Sequence, residues 1–190
     1  MNSSLLIRAS RFLSWALRHD PNAAGITLDE AGWASVASVM RAFDRRQFRL
    51  NRDDLKQIVA EDEKGRFSFT PDGHSIRANY AHSIAINLNL PASTPPNRLY
   101  HGTARHALDA IKRLGLLRQQ RQFVHLTSEV ISAFSIGERY GAPVVIPVDA
   151  ARMHAEGHVF YHGAGTIWMT ASVPPHYLNY AELIFCQDKK

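Results

Sequence analysis

Residues 88–97 read Leu-Asn-Leu-Pro-Ala-Ser-Thr-Pro-Pro-Asn, with three prolines and no charged side chain. Proline lacks the backbone donor that a helix interior or a central strand requires, so neither element can run through this tract. The tract therefore splits the chain into a first lobe, residues 1–88, a linker, 89–98, and a second lobe, 99–190. A chain of 190 residues leaves each lobe long enough to bury its own core.

The first lobe reads as mainly helical. Leu5, Ala9, Phe12, Leu13 and Ala16 recur at helical spacing and form one apolar stripe, while Arg8, Arg11, Trp15 and Arg18 fall on another. Asp20-Pro21 ends this helix, because the residue before a proline avoids the helical region. Residues 35–43 and 53–61 are two further helix candidates. Residues 66–70 then alternate, Pro71-Asp72-Gly73 turns, and residues 74–78 return as a second strand. Three small helices and a hairpin predict a winged-helix-like lobe, an arrangement often used to read nucleic acid.

The second lobe is shorter in period and mixed. Leu99-Tyr100-His101 is a strand candidate, and Thr103 can cap a helix that buries Leu108, Ile111 and Leu114 and stops at Gly115. Residues 123–126 form a second strand, after which Thr127 or Ser128 can cap the next helix. Residues 144–148 are an apolar strand whose Pro147 predicts a free edge or a bulge. Residues 167–170 and 181–185 complete the strands. The predicted class is α+β, with a β-sandwich as the second lobe.

Composition limits the function classes. No apolar run approaches the roughly 20 residues that span a bilayer. The N-terminal stretch carries Arg8 and Arg11 where a signal peptide needs an unbroken apolar run, so a cytoplasmic protein with no membrane partner is expected. The single Cys186 sits in an apolar terminal strand and reads as a buried, inert thiol. An excess of 22 Lys and Arg over 17 Asp and Glu gives a charge of +5, which suits a polyanionic partner as well as an ordinary basic surface. No phosphate-cradling GxxxxGK[ST], no GxGxxG after a strand and no GxSxG elbow is present. His154, His158 and His162 are spaced by four, but Gly157 interrupts a common helix, and no metal site is expected.

Three basic spots remain: Arg18-His19 at the end of the first helix, Arg66 at the mouth of the hairpin, and Arg121 before the second strand of the C-terminal lobe. Guanidinium groups bind phosphate bidentately and stay charged, and a neighbouring histidine can move a proton near neutral pH. Spacing alone is equally compatible with unrelated solvated arginines. His101-Gly102-Thr103 and His125-Leu126-Thr127 each place a histidine at a strand end before a helix cap. Gly102 would let a ligand approach the backbone, and a helix N-terminus attracts a pyrophosphate.

Taken in order, these segments resemble the RNA 2′-phosphotransferase family. The resemblance rests on Ser10-Arg11-Phe12-Leu13-Ser14 leading to Leu17-Arg18-His19, on Leu28-Asp29-Glu30-Ala31-Gly32-Trp33, on Lys64-Gly65-Arg66-Phe67, and on Ile76-Arg77-Ala78 followed by His82-Ser83. It continues through Leu99-Tyr100-His101-Gly102-Thr103, Arg121 with Val124-His125-Leu126-Thr127, Gly137-Glu138-Arg139 and Pro143-Val144-Val145. Tyr80-Ala81 departs from the Gln-Gly that the family usually has before the His-Ser pair, and Gly65 replaces a polar residue common there.

The resemblance implies an N-terminal winged-helix-like RNA-binding lobe and a C-terminal ADP-ribosyltransferase-like lobe binding NAD⁺. It implies a catalytic set at Arg18, His19, Arg66 and Arg121. His101, Gly102, Thr103, His125, Leu126, Thr127 and Arg139 are the candidates for the NAD⁺ pocket, and Arg11, Lys64 and Arg77 for further RNA contacts. The implied reaction moves the 2′-phosphate of a tRNA-type RNA onto the ADP-ribose of NAD⁺, with loss of nicotinamide. A second step releases 2′-hydroxyl RNA and ADP-ribose 1″,2″-cyclic phosphate. A phosphate that is itself the nucleophile needs no activating carboxylate, and Val173 stands near where many ADP-ribosyltransferases carry a glutamate. A monomer is expected. The competing readings are ADP-ribosylation of terminal phosphates on RNA or DNA, and a winged-helix regulator that senses NAD⁺ without chemistry.

Overall fold

A computed structural model of the chain describes residues 3–185, and Cys186 lies outside them. The chain divides into two compact units, Met1–Asn89 and Leu90–Lys190. Both mix helix and sheet, the α+β class expected. No helix among the described residues is long and apolar enough to cross a membrane.

The first unit contains α1 (Ser3–Arg18), β1 (Ala34–Ser35), α2 (Val36–Arg45), α3 (Arg52–Ala60), β2 (Phe67–Phe69) and β3 (Ser75–Ala78). The apolar stripe of α1 is buried at Ala9, Leu13 and Ala16, and it packs with Phe43, Leu55, Ile58 and Ile76 in one core. Arg18 departs from the expected pattern: it is only 8% exposed, whereas Arg8 and Arg11 on the same stripe face solvent.

Helices α2 and α3 start at side-chain caps. Ser35 Oγ accepts from the Ser38 N–H at 3.1 Å. Asn51 Oδ1 accepts from the N–H groups of Asp53 and Asp54, and the Asp54 carboxylate accepts from the Asn51 N–H. Such caps satisfy donors that a helix start leaves orphaned and contribute about 1 kcal/mol each. The sheet runs in the order β1-β3-β2, all antiparallel. At two residues, β1 is too short to show a sequence period, and only its pairing with β3 reveals it.

The second unit is built on a six-stranded antiparallel sheet. Its strands are β4 (Arg98–Ala104), β6 (Val124–Thr127), β7 (Pro143–Asp149), β8 (Phe160–His162), β9 (Ile167–Thr170) and β11 (Ile184–Phe185), in the order β11-β7-β4-β6-β9-β8. A separate ribbon pairs β5 (Leu116–Leu117) with β10 (Ser172–Val173). Leu99, Leu126, Ile146, Val148, Met153 and Phe160 lie in the core, and α4 (Leu108–Leu114), α5 (Val130–Gly137) and α6 (Ala150–Ala155) accompany the sheet.

Several local expectations are corrected here. Thr103 is not a helix cap: it lies inside β4, paired with Val144, and α4 begins after a 3₁₀ turn at Arg105–Ala107. Leu114 is 59% exposed rather than inward, although Gly115 ends the helix as expected, with φ 75°. Thr127 belongs to β6, and α5 starts at Val130 without a side-chain cap; the Thr127 hydroxyl instead accepts from the Glu129 N–H at 3.2 Å. Strand β7 is internal, yet β11 pairs with it only at Val144 and Val145, so Pro147 stands beyond the reach of that neighbour. The linker tract is partly ordered: Ala92 bridges to Tyr161, and the Ser93 N–H donates to the Phe160 carbonyl at 2.9 Å along the outer strand β8.

Helix α5 presses onto β4 at a glycine. A Cβ built on Gly102 would lie 1.7 Å from the Ala133 carbonyl oxygen, and one built on Gly137 would lie 2.7 Å from the Thr103 carbonyl oxygen. No side chain fits at Gly102 unless the helix backbone moves.

Candidate functional site

In the first unit, residues 79–83 fold back over the end of α1 and organise the basic residues found there. The Ser83 N–H donates to the Arg18 carbonyl at 3.0 Å, and His19 Nδ1 lies 2.9 Å from the Ser83 hydroxyl. The Arg18 guanidinium carbon stands 4.8 Å from the centre of the Tyr80 ring. Ala81 adopts φ 68°, a left-handed conformation that glycine takes without strain, which gives a physical reason for the Gly usual there in the family that the chain resembles. That turn carries His82 inward, where it is 2% exposed.

Burial, reinforced by the positive charges of Arg18, His19 and Arg77, lowers the His82 pKa from its ordinary 6.5 to about 4. The folded state therefore binds the proton less readily than the unfolded chain. Stability contributed by neutral His82 is complete above pH 6.5 and is lost as the pH falls toward 4. The loss amounts to about 3 kcal/mol for this group. Thermal unfolding midpoints should fall over that window in the wild type and fall less in His82→Gln. Identical slopes in the two proteins would reject the assignment.

Arg66 is held from behind. Its Nε pairs with Asp62 Oδ1 at 2.8 Å, its backbone N–H donates to Asp62 Oδ2, and the Asp62 side chain is 1% exposed. Among the described residues of this unit, no hydrogen bond occupies its two terminal nitrogens, which leaves a bidentate donor edge for an anion. The hairpin mouth is fixed by residues 79 and 80. The Tyr80 hydroxyl donates to the Lys64 carbonyl at 2.8 Å, Asn79 Nδ2 donates to the Gly65 carbonyl at 2.8 Å, and the Asn79 N–H donates to the Arg66 carbonyl at 2.9 Å.

Arg77 lies 4.6 Å from the centre of the Trp33 ring, and its buried Nε has no hydrogen-bond partner among the described residues. Burial lowers its pKa, partly offset by Asp29. Trp33 is itself set by Asp29, whose Oδ1 accepts from the Ala31 and Trp33 N–H groups while Gly32 takes φ 81°. Arg11 and Lys64 are exposed, and Arg11 sits about two helical turns before Arg18.

The second unit brings His101, His125 and Arg121 together, though not as three side chains in a row. His101 Nδ1 lies 3.2 Å from the carbonyl oxygen of His125, so it is the main chain of the second motif that meets the first. A carbonyl partner requires the proton on Nδ1 and leaves the Nε2 lone pair as an acceptor. Burial keeps the His101 imidazole below its ordinary range, and the charge of Arg121 acts in the same direction. Arg121 is exposed, in a turn closed by its N–H to the Arg118 carbonyl at 2.9 Å.

Other candidates occupy different settings. Leu126 is a core side chain, and the buried Thr127 hydroxyl donates to the Thr166 hydroxyl at 3.0 Å. Thr103 is half-buried on β4, and Arg139 is exposed in the turn after α5. The space where a Gly102 side chain would stand is filled by α5, so packing by itself demands the glycine. His154, His158 and His162 fall on α6, in a loop and on β8, three separate segments. Two supports escaped the sequence reading as functional residues: Asp62, whose signal was its four-residue offset from Arg66, and Tyr80, whose only signal was its departure from the family's usual residue.

Residues 4–172 match the family described as RNA 2′-phosphotransferase, Tpt1/KptA family. Among similar proteins, a probable RNA 2′-phosphotransferase of Streptomyces coelicolor is 42% identical over 180 residues, covering 95% of this chain and 98% of that one. A protein of the same name from Nostoc punctiforme is 40% identical over 179 residues, covering 94% and 99%. Another, from Agrobacterium fabrum, is 42% identical over 170 residues, covering 90% and 91%. The matched stretch spans both units and contains Arg18, His19, Arg66 and Arg121, and the chain belongs to the RNA 2′-phosphotransferase, Tpt1/KptA family.

Proposed function

We propose that the chain is an NAD⁺-dependent RNA 2′-phosphotransferase that removes an internal 2′-phosphate from a tRNA-type RNA. The products are 2′-hydroxyl RNA, nicotinamide and ADP-ribose 1″,2″-cyclic phosphate. The observation that carries this reading is the organisation of the first unit, where Arg18 and Arg66 are both fastened to the segment 79–83 and His19 is tied to Ser83. Such prepositioned cations suit a phosphoryl group whose charge grows during transfer.

In this proposal the first unit acts as the winged-helix-like RNA lobe and the second as the ADP-ribosyltransferase-like lobe. Arg18 and Arg66 bind the 2′-phosphate, His19 delivers a proton to the departing RNA 2′-oxygen, and Arg121 joins the catalytic set on the family resemblance. The donor set of the second unit fits NAD⁺: the neutral His101 offers Nε2 to a ribose hydroxyl, while Thr103, His125 and Arg139 supply further polar contacts. NAD⁺ supplies the anomeric carbon that accepts the phosphate, with nicotinamide as the leaving group.

The test uses a short RNA with one radiolabelled internal 2′-phosphate. Label should leave as ADP-ribose cyclic phosphate only when NAD⁺ is added. A stable ADP-ribosylated RNA with no cyclic phosphate would replace this reading with ADP-ribosylation alone, and no NAD⁺-dependent change would end it.

A further inference from the structure

We infer that Tyr80 is a positioning residue for the phosphate-binding arginines, fixing Arg18 in register with Arg66; the inference rests on the phosphate chemistry proposed above. Tyr80 is 7% exposed and connects two segments that are distant in sequence. Its ring face carries the Arg18 guanidinium at 4.8 Å, and its hydroxyl holds the Lys64 carbonyl at 2.8 Å, two residues before Arg66. Asn79 holds the next two carbonyls, of Gly65 and Arg66. The hairpin mouth and the end of α1 are thus set by one pair of adjacent residues.

The physical reason lies in what an arginine loses on binding. A long side chain has many rotamers, and ordering it around a phosphate opposes binding unless it is already ordered. A buried ring face orders the guanidinium beforehand without neutralising it, because the cation–π attraction leaves the charge intact. An aspartate in that place would lower the net positive charge offered to the ligand. Burial raises the Tyr80 phenol above its ordinary pKa, so the hydroxyl stays a donor to Lys64 throughout the working range. Tyr80 would touch no reacting atom; it acts through Arg18 and the backbone ahead of Arg66.

The test compares wild type, Tyr80→Phe and Tyr80→Leu by two measurements: single-turnover release of the labelled 2′-phosphate at saturating NAD⁺, and affinity for inorganic phosphate by titration calorimetry. Tyr80→Leu should lose about tenfold in both, with the KM for NAD⁺ unchanged within about twofold. Tyr80→Phe keeps the ring face and loses the hydroxyl with its hydrogen bonds to Lys64 and Arg18, so it should lose about threefold. The Phe variant also covers the case in which the Leu variant does not fold. Folded variants with wild-type rate and phosphate affinity would overturn the inference, as would a wild type that binds no phosphate. If wild type binds phosphate but releases no label with NAD⁺, the reaction proposal fails alone, and the phosphate affinities still decide the role of Tyr80.

Discussion

Arg121→Ala should slow NAD⁺-dependent release of the 2′-phosphate by about 10³-fold, the scale set by removing one cation from a transferred phosphoryl group. Arg121 is the cleanest of the three arginines for this measurement. It is exposed, so its removal leaves no cavity and no orphaned charge. The same loss is expected for Arg18→Ala and Arg66→Ala, but each carries a structural burden. Arg18 is 8% exposed and packs on Tyr80. Removing the Arg66 side chain would leave the Asp62 carboxylate, whose side chain is 1% exposed, without its ion pair and with only the backbone N–H of residue 66, and breaking a buried pair costs about 3 kcal/mol. The double variant Arg66→Ala/Asp62→Asn separates the two effects, because it should recover stability without recovering activity. Single-turnover rates alongside thermal midpoints provide the measurement. Wild-type-like rates in folded Arg121→Ala would remove Arg121 from the catalytic set.

Gly102→Ala should destabilise the second unit by about 3 kcal/mol or more, an effect usually reserved for overpacked cores and strained backbones. The added methyl carbon would sit 1.7 Å from the Ala133 carbonyl oxygen, and the obstacle is helix backbone, which cannot rotate aside as a side chain can. Chemical denaturation should show a lower midpoint for the second unit. If Gly102 instead served mainly to admit a ligand, Gly102→Ala would keep its stability and raise only the KM for NAD⁺. That outcome would refute the packing account.

These two positions mark the limits of what the residue string reveals. The first helix was legible because its apolar residues recur at a fixed period and Asp20-Pro21 marks its end. Arg18 was read onto a second stripe, apart from the apolar one, by the same period; it is buried because residues 80–83 fold over it, and His19 meets Ser83 at a separation of 64 residues. Gly102 was read as an opening because glycine lacks a side chain, and nothing local shows that a helix some thirty residues later fills the gap. Thr103 looked like a cap, but a β-branched residue is equally at home in a strand, and the pairing of β4 with β7 decides the matter. The strand order β11-β7-β4-β6-β9-β8 joins segments far apart in the chain, which periodicity cannot register. The basic residues themselves were legible, since guanidinium chemistry travels with the residue type; what holds each one in place was not.

The pairing of Ala92 and Ser93 with the outer strand β8 bears on how this protein keeps from sticking to its own copies. A sheet margin presents a row of unsatisfied amide and carbonyl groups that any extended peptide can complete, and this is a common route to aggregation. Here the chain lays its own proline-flanked segment over part of that margin. Pro91, Pro95 and Pro96 offer no amide hydrogen, so the covering segment is a poor template for another strand. The tract that separates the lobes in sequence thus doubles as a guard against fibril-like self-association, and a proteolytic nick within it would uncover the margin it protects.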